Sequence, residues 1–171
     1  MVFSRMTFRN FGKAFMALWV AAVMSGCCTL GGLVGADTTV ELDFQVWPKI
    51  NPDDMGRAKP MVVRVYELKD ARQFMAEDYI GLIENSKELL GGDLVAERRV
   101  RELTPGVNYI EELIVDPSVR YIGLLGEFIQ YENAQSRVIF PIDSNCCTSQ
   151  YVWINGNRIE LGDEEKPEDA K

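Results

Sequence analysis

From Thr39 to Val46 the chain alternates between the polar Thr39, Glu41, Asp43 and Gln45 and the apolar Val40, Leu42, Phe44 and Val46. A period of two puts each set on its own face of an extended strand, so this segment requires a sheet with one dry face and one wet face. Pro48 ends the run, and a polar loop follows to Pro60 with turn residues at several places. Met61–Lys69 is rich in β-branched residues and again reads as a strand. Between Ala71 and Leu90 the spacing changes: Phe74, Tyr79, Leu82, Ile83, Leu89 and Leu90 fit helical periodicity. Asp78 and Ser86 are candidate N-caps, and Gly91-Gly92 stops the segment.

Strand signals then resume. Leu94–Leu103 is charged and suits an edge, and Val107–Val115 follows the turn at Thr104-Pro105-Gly106. Tyr121–Ile129 is apolar on both faces for most of its length, as a central strand is. Arg137–Ile142 carries Pro141, which places its end at an edge or bulge. Tyr151–Ile154, Asn155-Gly156 and Asn157–Leu161 form a strong two-residue hairpin signal. Eight candidate strands at short spacing predict a mainly β, antiparallel two-sheet sandwich with a short helical insertion after the second strand.

Ahead of the first strand lies a different kind of sequence. Arg5, Arg9 and Lys13 precede the apolar run Ala14–Met24, and Ser25-Gly26-Cys27 closes it. A basic segment, an apolar segment and a small-residue cleavage site are the parts of an export signal. The run is about half the ~20 residues a spanning helix needs. A cysteine directly after the small pair makes the segment resemble a bacterial lipoprotein signal, in which the thiol is acylated and the chain is cut just before it. Cys27 is therefore the expected lipidation site. Met24 stands where Leu is usual, and Cys28 is the poorer acceptor because Cys27 precedes it. The expected organisation is a lipoprotein signal peptide over 1–26 and a lipidated N-terminus with flexible tether over 27–37. A β-sandwich domain over 38–162 and an acidic disordered tail over 163–171 complete it. The tether reaches at most ~35 Å.

Removing residues 1–26 leaves 145 residues with 15 basic and 26 acidic side chains, a net charge of −11. That length supports one domain with a proper core. Such a charge repels phosphate backbones and anionic headgroups, which argues against nucleic acid as a partner and leaves lipid as the membrane tether. The chain has no histidine, which excludes hydrolases with a histidine base and the common histidine zinc sites. No spacing of carboxylates marks a glycosidase pair, and Glu111-Glu112 reads as a solvated strand feature. No catalytic residue, metal site or cofactor is expected beyond the covalent lipid.

With Cys27 acylated, Cys28, Cys146 and Cys147 remain. An odd number in an oxidising compartment leaves one thiol free or pairing between chains. Cys146 and Cys147 are candidate disulfide residues, bridging each other or reaching Cys28, and a wholly reduced set is the alternative. Arg64 reads as a strand arginine that snorkels or pairs with an acid on a neighbouring strand, with a functional buried charge as the alternative. Trp47, Trp153 and Tyr151 read as core or sheet-face packing, with a recognition patch as the alternative.

The order and spacing of several segments carry a family resemblance. These are Asn51-Pro52-Asp53, Gly56-Arg57, Pro60, Val62–Lys69, Phe74, Asp78-Tyr79, Leu89-Leu90, Leu103–Gly106 and Arg120–Leu124. Together they resemble the TssJ (SciN-type) lipoproteins of the type VI secretion system; the Cys146-Cys147 pair and the acidic tail lie outside that pattern. The resemblance implies a transthyretin-like sandwich and a lipid-anchored outer-membrane protein facing the periplasm. It further implies binding to the periplasmic C-terminal domain of TssM, with TssL reached indirectly through the membrane complex. The loop from Lys49 to Lys59 is the implied contact, through Asn51, Pro52, Asp53, Gly56 and Arg57, with Asn51, Asp53 and Arg57 offering exposed polar groups. A periplasmic lipoprotein carrier for a small apolar ligand is the alternative.

Overall fold

The computed structural model describes residues 37–163. The signal segment, Cys27, Cys28, nearly all of the tether and the tail beyond Asp163 lie outside the described residues. Eight strands form two four-stranded sheets. In chain order they are β1 Thr38–Val46, β2 Val63–Leu68, β3 Leu94–Arg99, β4 Tyr109–Val115, β5 Tyr121–Gly126, β6 Arg137–Pro141, β7 Cys147–Asn155 and β8 Arg158–Gly162. Two helices, α1 Arg72–Ala76 and α2 Tyr79–Leu90, lie between β2 and β3. The mainly β sandwich with its helical insertion is thus what the periodicities predict.

One sheet runs β4-β1-β7-β8 and the other β3-β2-β5-β6. All pairings are antiparallel except one: β1 lies parallel to β7, with Thr39 opposite Cys147 and Val46 opposite Ile154. The antiparallel two-sheet sandwich expected from the sequence therefore holds, with this one parallel pair inside it. The pairing joins segments about a hundred residues apart, and a period-two pattern carries no information on strand direction. It also extends β7 back to Cys147, because ladder bonds with β1 draw in the polar Thr148, Ser149 and Gln150.

The wet and dry faces of β1 are as its alternation requires. Val40, Leu42, Phe44 and Val46 are fully buried and pack against Val63, Val65, Ile122, Leu124, Val152 and Ile154 between the sheets. A second cluster, Tyr66, Leu68, Phe74, Leu82, Leu90 and Leu125, lies under the helices. Hence β2 and β5 are covered on both faces, by a sheet on one side and by helices on the other. Gly123 in β5 makes room for this cover, since a Cβ there would sit 2.8 Å from the Phe74 ring. The strand itself ends at Gly126, short of the Ile129 that its apolar run suggested.

Asp78 caps α2 by accepting the Gly81 N–H at 2.7 Å. Asn85 leaves helical geometry and kinks the helix. Ser86 does not cap the second segment; its hydroxyl donates to Glu97 at 2.5 Å. Among the described residues no helix is long and apolar enough to cross a membrane.

Candidate partner-binding surface

The loop between β1 and β2 begins with Trp47, which meets Trp153 edge to face at 6.2 Å and is nearly buried. Those two aromatics pack the sheet and do not form an open patch. Ile50 follows in the core, and Asn51 behind it adopts a positive φ of 45°. Asparagine tolerates that region better than most residues because its short amide bonds nearby backbone.

Asn51 is 2% exposed. Its Nδ2 donates to the Pro60 carbonyl at 2.8 Å, and its Oδ1 accepts the Ile129 N–H at 2.8 Å. Its own backbone N–H donates to the Gly156 carbonyl at 2.8 Å. This overturns the expectation that Asn51 offers an exposed polar group. A side chain meeting two backbone segments at once is buried by them, and it holds three chain segments in register.

Asp53 closes the next turn. Its carboxylate accepts the backbone N–H groups of Met55 at 3.0 Å and Arg57 at 2.9 Å. The Arg57 guanidinium bonds its other oxygen, with Nε at 2.8 Å and a terminal nitrogen at 2.7 Å. These bonds, the Arg57 side chain first, hold the carboxyl well below the usual carboxylate range. Gly56 takes φ 73° and donates its N–H to the Asp53 carbonyl at 2.8 Å. A side chain at Gly56 would find open space but a strained backbone. Asp53 is thus turned inward, its carboxylate only 16% exposed, and Arg57 stands out at 64%. Pro52 is half-buried.

Beside this turn lie two others. The segment after β5 carries Ile129, 50% exposed, and Tyr131, which stacks on Tyr79 of α2 with ring centroids 4.8 Å apart. Asn157 of the β7–β8 hairpin donates to Gln130 at 3.2 Å. Met55 crowns the first loop at 77% exposure. The surface so assembled combines apolar Met55, Ile129 and Tyr131 with the Arg57 cation. Sequence reasoning missed Met55, Ile129 and Tyr131. The apolar run hides Ile129 within β5, although Glu127 and Gln130 around it signal that the strand has ended.

The insertion is held at its base by a charge cluster. Arg64 of β2, its side chain 9% exposed, pairs with Glu97 of β3 at 2.8 Å and Glu127 at 2.6 Å. It also donates to the Ile83 carbonyl of α2 at 3.0 Å. Arg64 therefore pairs with acids on neighbouring segments, as read from the sequence. A cleft of about 330 Å³ beside α2 is lined by Ile83, Glu84, Asn85, Ser86, Lys87, Glu88 and Glu97. Six of the seven lining residues are polar or charged by type.

At the opposite end of β1, the Thr39 N–H donates to the Cys146 carbonyl at 3.1 Å, and the Asn145 N–H donates to the Thr38 hydroxyl at 2.9 Å. Cys146 is disulfide-bonded, while Cys147 is free and exposed. The two adjacent cysteines therefore do not bridge each other.

A helix-covered double sheet with a braced loop at one pole defines a β-sandwich protein that presents a candidate binding surface. The chain belongs to the type VI secretion lipoprotein family (VasD, EvfM, TssJ, VC_A0113), whose family model matches residues 38–163. It is similar to the T6SS lipoprotein TssJ1 from Pseudomonas aeruginosa, with a TM-score of 0.70 and 27% identity, covering 77% of this chain and 99% of that one. The fold is shared with Serratia marcescens Lip, a membrane-bound component of the type VI secretion system. That match has a TM-score of 0.66 and 19% identity, over 72% of this chain and 96% of Lip. A chain in a structure of the T6SS protein TssM C-terminal domain (869-1107) from EAEC also matches. There the TM-score is 0.59 and the identity 27%, over 74% of this chain and 98% of that one. Comparison with curated proteins by sequence gives no match.

Proposed function

We propose that this lipoprotein is a non-catalytic scaffold of the type VI secretion membrane complex. It is anchored through acyl chains on Cys27 to the outer membrane, faces the periplasm, and binds the periplasmic C-terminal domain of TssM. TssL is reached only through that complex. The observation that carries the reading is the braced pole around Asn51, where Met55, Arg57, Ile129 and Tyr131 project from turns held by buried hydrogen bonds. Apolar groups around a cation on a preorganised backbone suit a protein partner, because little entropy is lost on ordering them. The similarity to a chain in a TssM C-terminal domain structure supports the choice of partner.

Asn51 and Asp53 act by holding the loop, and Gly56 and Pro52 by allowing its course; Arg57 makes the contact. Several acyl chains give stable anchoring where one does not. Confinement to one membrane then raises the effective concentration of the loop near a partner rooted in the other.

The test is the affinity of full-length protein in detergent for the TssM C-terminal domain, with Met55→Asp and Arg57→Glu beside Ile110→Asp on the exposed face of β4. The expected result is at least about a tenfold loss for the first two, equivalent to ~1.4 kcal/mol, and none for the third. Equal affinity for all would place the interface elsewhere, and no binding by any would remove TssM as the partner.

A further inference from the structure

β4 is an edge strand of its sheet, and its neighbour fixes where its backbone groups point. The Thr39 N–H of β1 donates to the Cys146 carbonyl on the β7 side, while the Val46 N–H turns to Asn108 just ahead of β4. Backbone groups alternate between the two edges of a strand. Val40, Leu42 and Phe44 therefore bond β4, and Thr39, Glu41 and Asp43 bond β7. Through the register, Tyr109, Glu111 and Leu113 complete the ladder with β1, and Ile110, Glu112 and Ile114 turn their N–H and C=O groups outward. The Ile114 carbonyl bears this out by accepting the Arg98 guanidinium at 2.9 Å.

We propose that this edge takes a strand from a partner protein, an extended segment whose outward side chains read apolar, basic, apolar. The surface is separate from the Asn51 pole and does not rest on the partner proposed there. Ile110, Glu112 and Ile114 share the outer face of the sheet, and the two isoleucines are 55% and 60% exposed. Glu112 lies directly opposite Glu41. Neither residue spends its ladder bonds on the other, and in such pairs the side chains come closest. Like charges so placed repel, and among the described residues no salt bridge reaches either carboxylate. Glu41 has only the Ser149 hydroxyl, at 3.1 Å. A basic side chain laid beside Glu112 relieves both acids, while apolar side chains on either side of it cover Ile110 and Ile114. The outward backbone groups of Ile110 and Glu112 supply the ladder.

A second copy is the wrong occupant. β4 has seven residues centred on Glu112, so pairing it antiparallel with itself sets Glu112 against Glu112. The isoleucine contacts would then come with a charge clash, which guards the edge against its own kind. The other edges are closed to strands. β3 carries Arg98 and Arg99. β6 and β8 meet through Gln135, whose N–H donates to the Asn157 carbonyl and whose carbonyl accepts the Ile159 N–H, both at 2.9 Å.

The test uses full-length protein in detergent and two synthetic peptides, acetyl-Thr-Val-Thr-Lys-Thr-Val-Thr-amide and its counterpart with Glu in place of Lys. Before peptide is added, amide exchange should be fast at Ile110 and Glu112 and slow at Glu111 and Leu113. The lysine peptide should then slow exchange at Ile110 and Glu112, and bind at least about tenfold more tightly than the glutamate peptide. Glu112→Lys should reverse that preference while keeping the wild-type affinity for the TssM C-terminal domain, which separates this edge from the Asn51 pole. Slow exchange at Ile110 and Glu112 in the free monomer, or equal binding of the two peptides, would overturn the proposal. So would a Glu112→Lys protein, shown folded by its near-ultraviolet circular dichroism, that still prefers the lysine peptide. A wild-type dimer with protected β4 amides would overturn it in favour of self-pairing.

Discussion

The Oδ1 atom of Asn51 accepts the backbone N–H of Ile129 at 2.8 Å, across 78 positions of sequence. One buried amide thereby joins the loop after β1 to the segment after β5, and through its own N–H reaches the β7–β8 hairpin as well. The surface proposed for the partner depends on this joint.

Asn51→Ala should lower stability by about 2–3 kcal/mol, because the Pro60 carbonyl and Ile129 N–H lose a partner while staying buried. The alanine also inherits a φ of 45°. Urea unfolding measures the loss, and the affinity of the folded fraction for TssM should fall with it. Unchanged stability would show that the joint is dispensable.

Acid should reach the Asp53 turn late. Its folded pKa lies below the unfolded one, so its contribution is present above the unfolded value of about 3.9 and is lost only as pH falls through the lower folded value. The amide resonances of Met55 and Arg57 should therefore hold their positions from pH 7 down past pH 4. In Asp53→Asn the weaker acceptor should leave both amides shifted at every pH. A midpoint near pH 4 in the wild type would contradict the ion pair.

Arg64→Met should cost about 2 kcal/mol, less than breaking a fully buried pair, because Glu127 keeps Arg99 at 3.2 Å and both acids are partly solvated. The helical insertion should loosen first, since the Ile83 carbonyl loses its donor. Faster amide exchange in α2 than in β1 is the reading to expect; uniform acceleration would argue against a local role.

Gly123→Ala places a Cβ 2.8 Å from the Phe74 ring and should destabilise by about 1–3 kcal/mol, as overpacked cores do. Gly92→Ala, where a Cβ meets nothing within 4 Å, should be nearly neutral. Adding Phe74→Leu to Gly123→Ala should recover part of the loss, and a double-mutant cycle gives the coupling. Strict additivity would mean that α1 does not rest on β5 as described.

Much of the proposed partner surface was legible as a segment and not as a set of contacts. The loop from Lys49 to Lys59 stands out by its turn residues, and Gly56 and Arg57 are where such a loop needs a positive φ and an exposed cation. That Asn51 faces inward is invisible in the chain, because Pro60 and Ile129 come to it only after the sheets have packed. Ile129 and Tyr131 belong to the surface for the same reason.

What the sequence determined by itself is whatever depends on neighbours along the chain. The alternation in β1, the Asn155-Gly156 hairpin, the Asp78 cap and the helical spacing through Leu90 are local, and side-chain period alone decides between strand and helix. The tertiary structure decided what depends on distant segments meeting. These are the parallel pairing of β1 with β7, the cover of β2 and β5 on both faces, the acids that Arg64 engages, and which of two adjacent cysteines is bonded. Each is a choice among partners of nearly equal local chemistry, and only packing the two sheets and the helices around common cores distinguishes them.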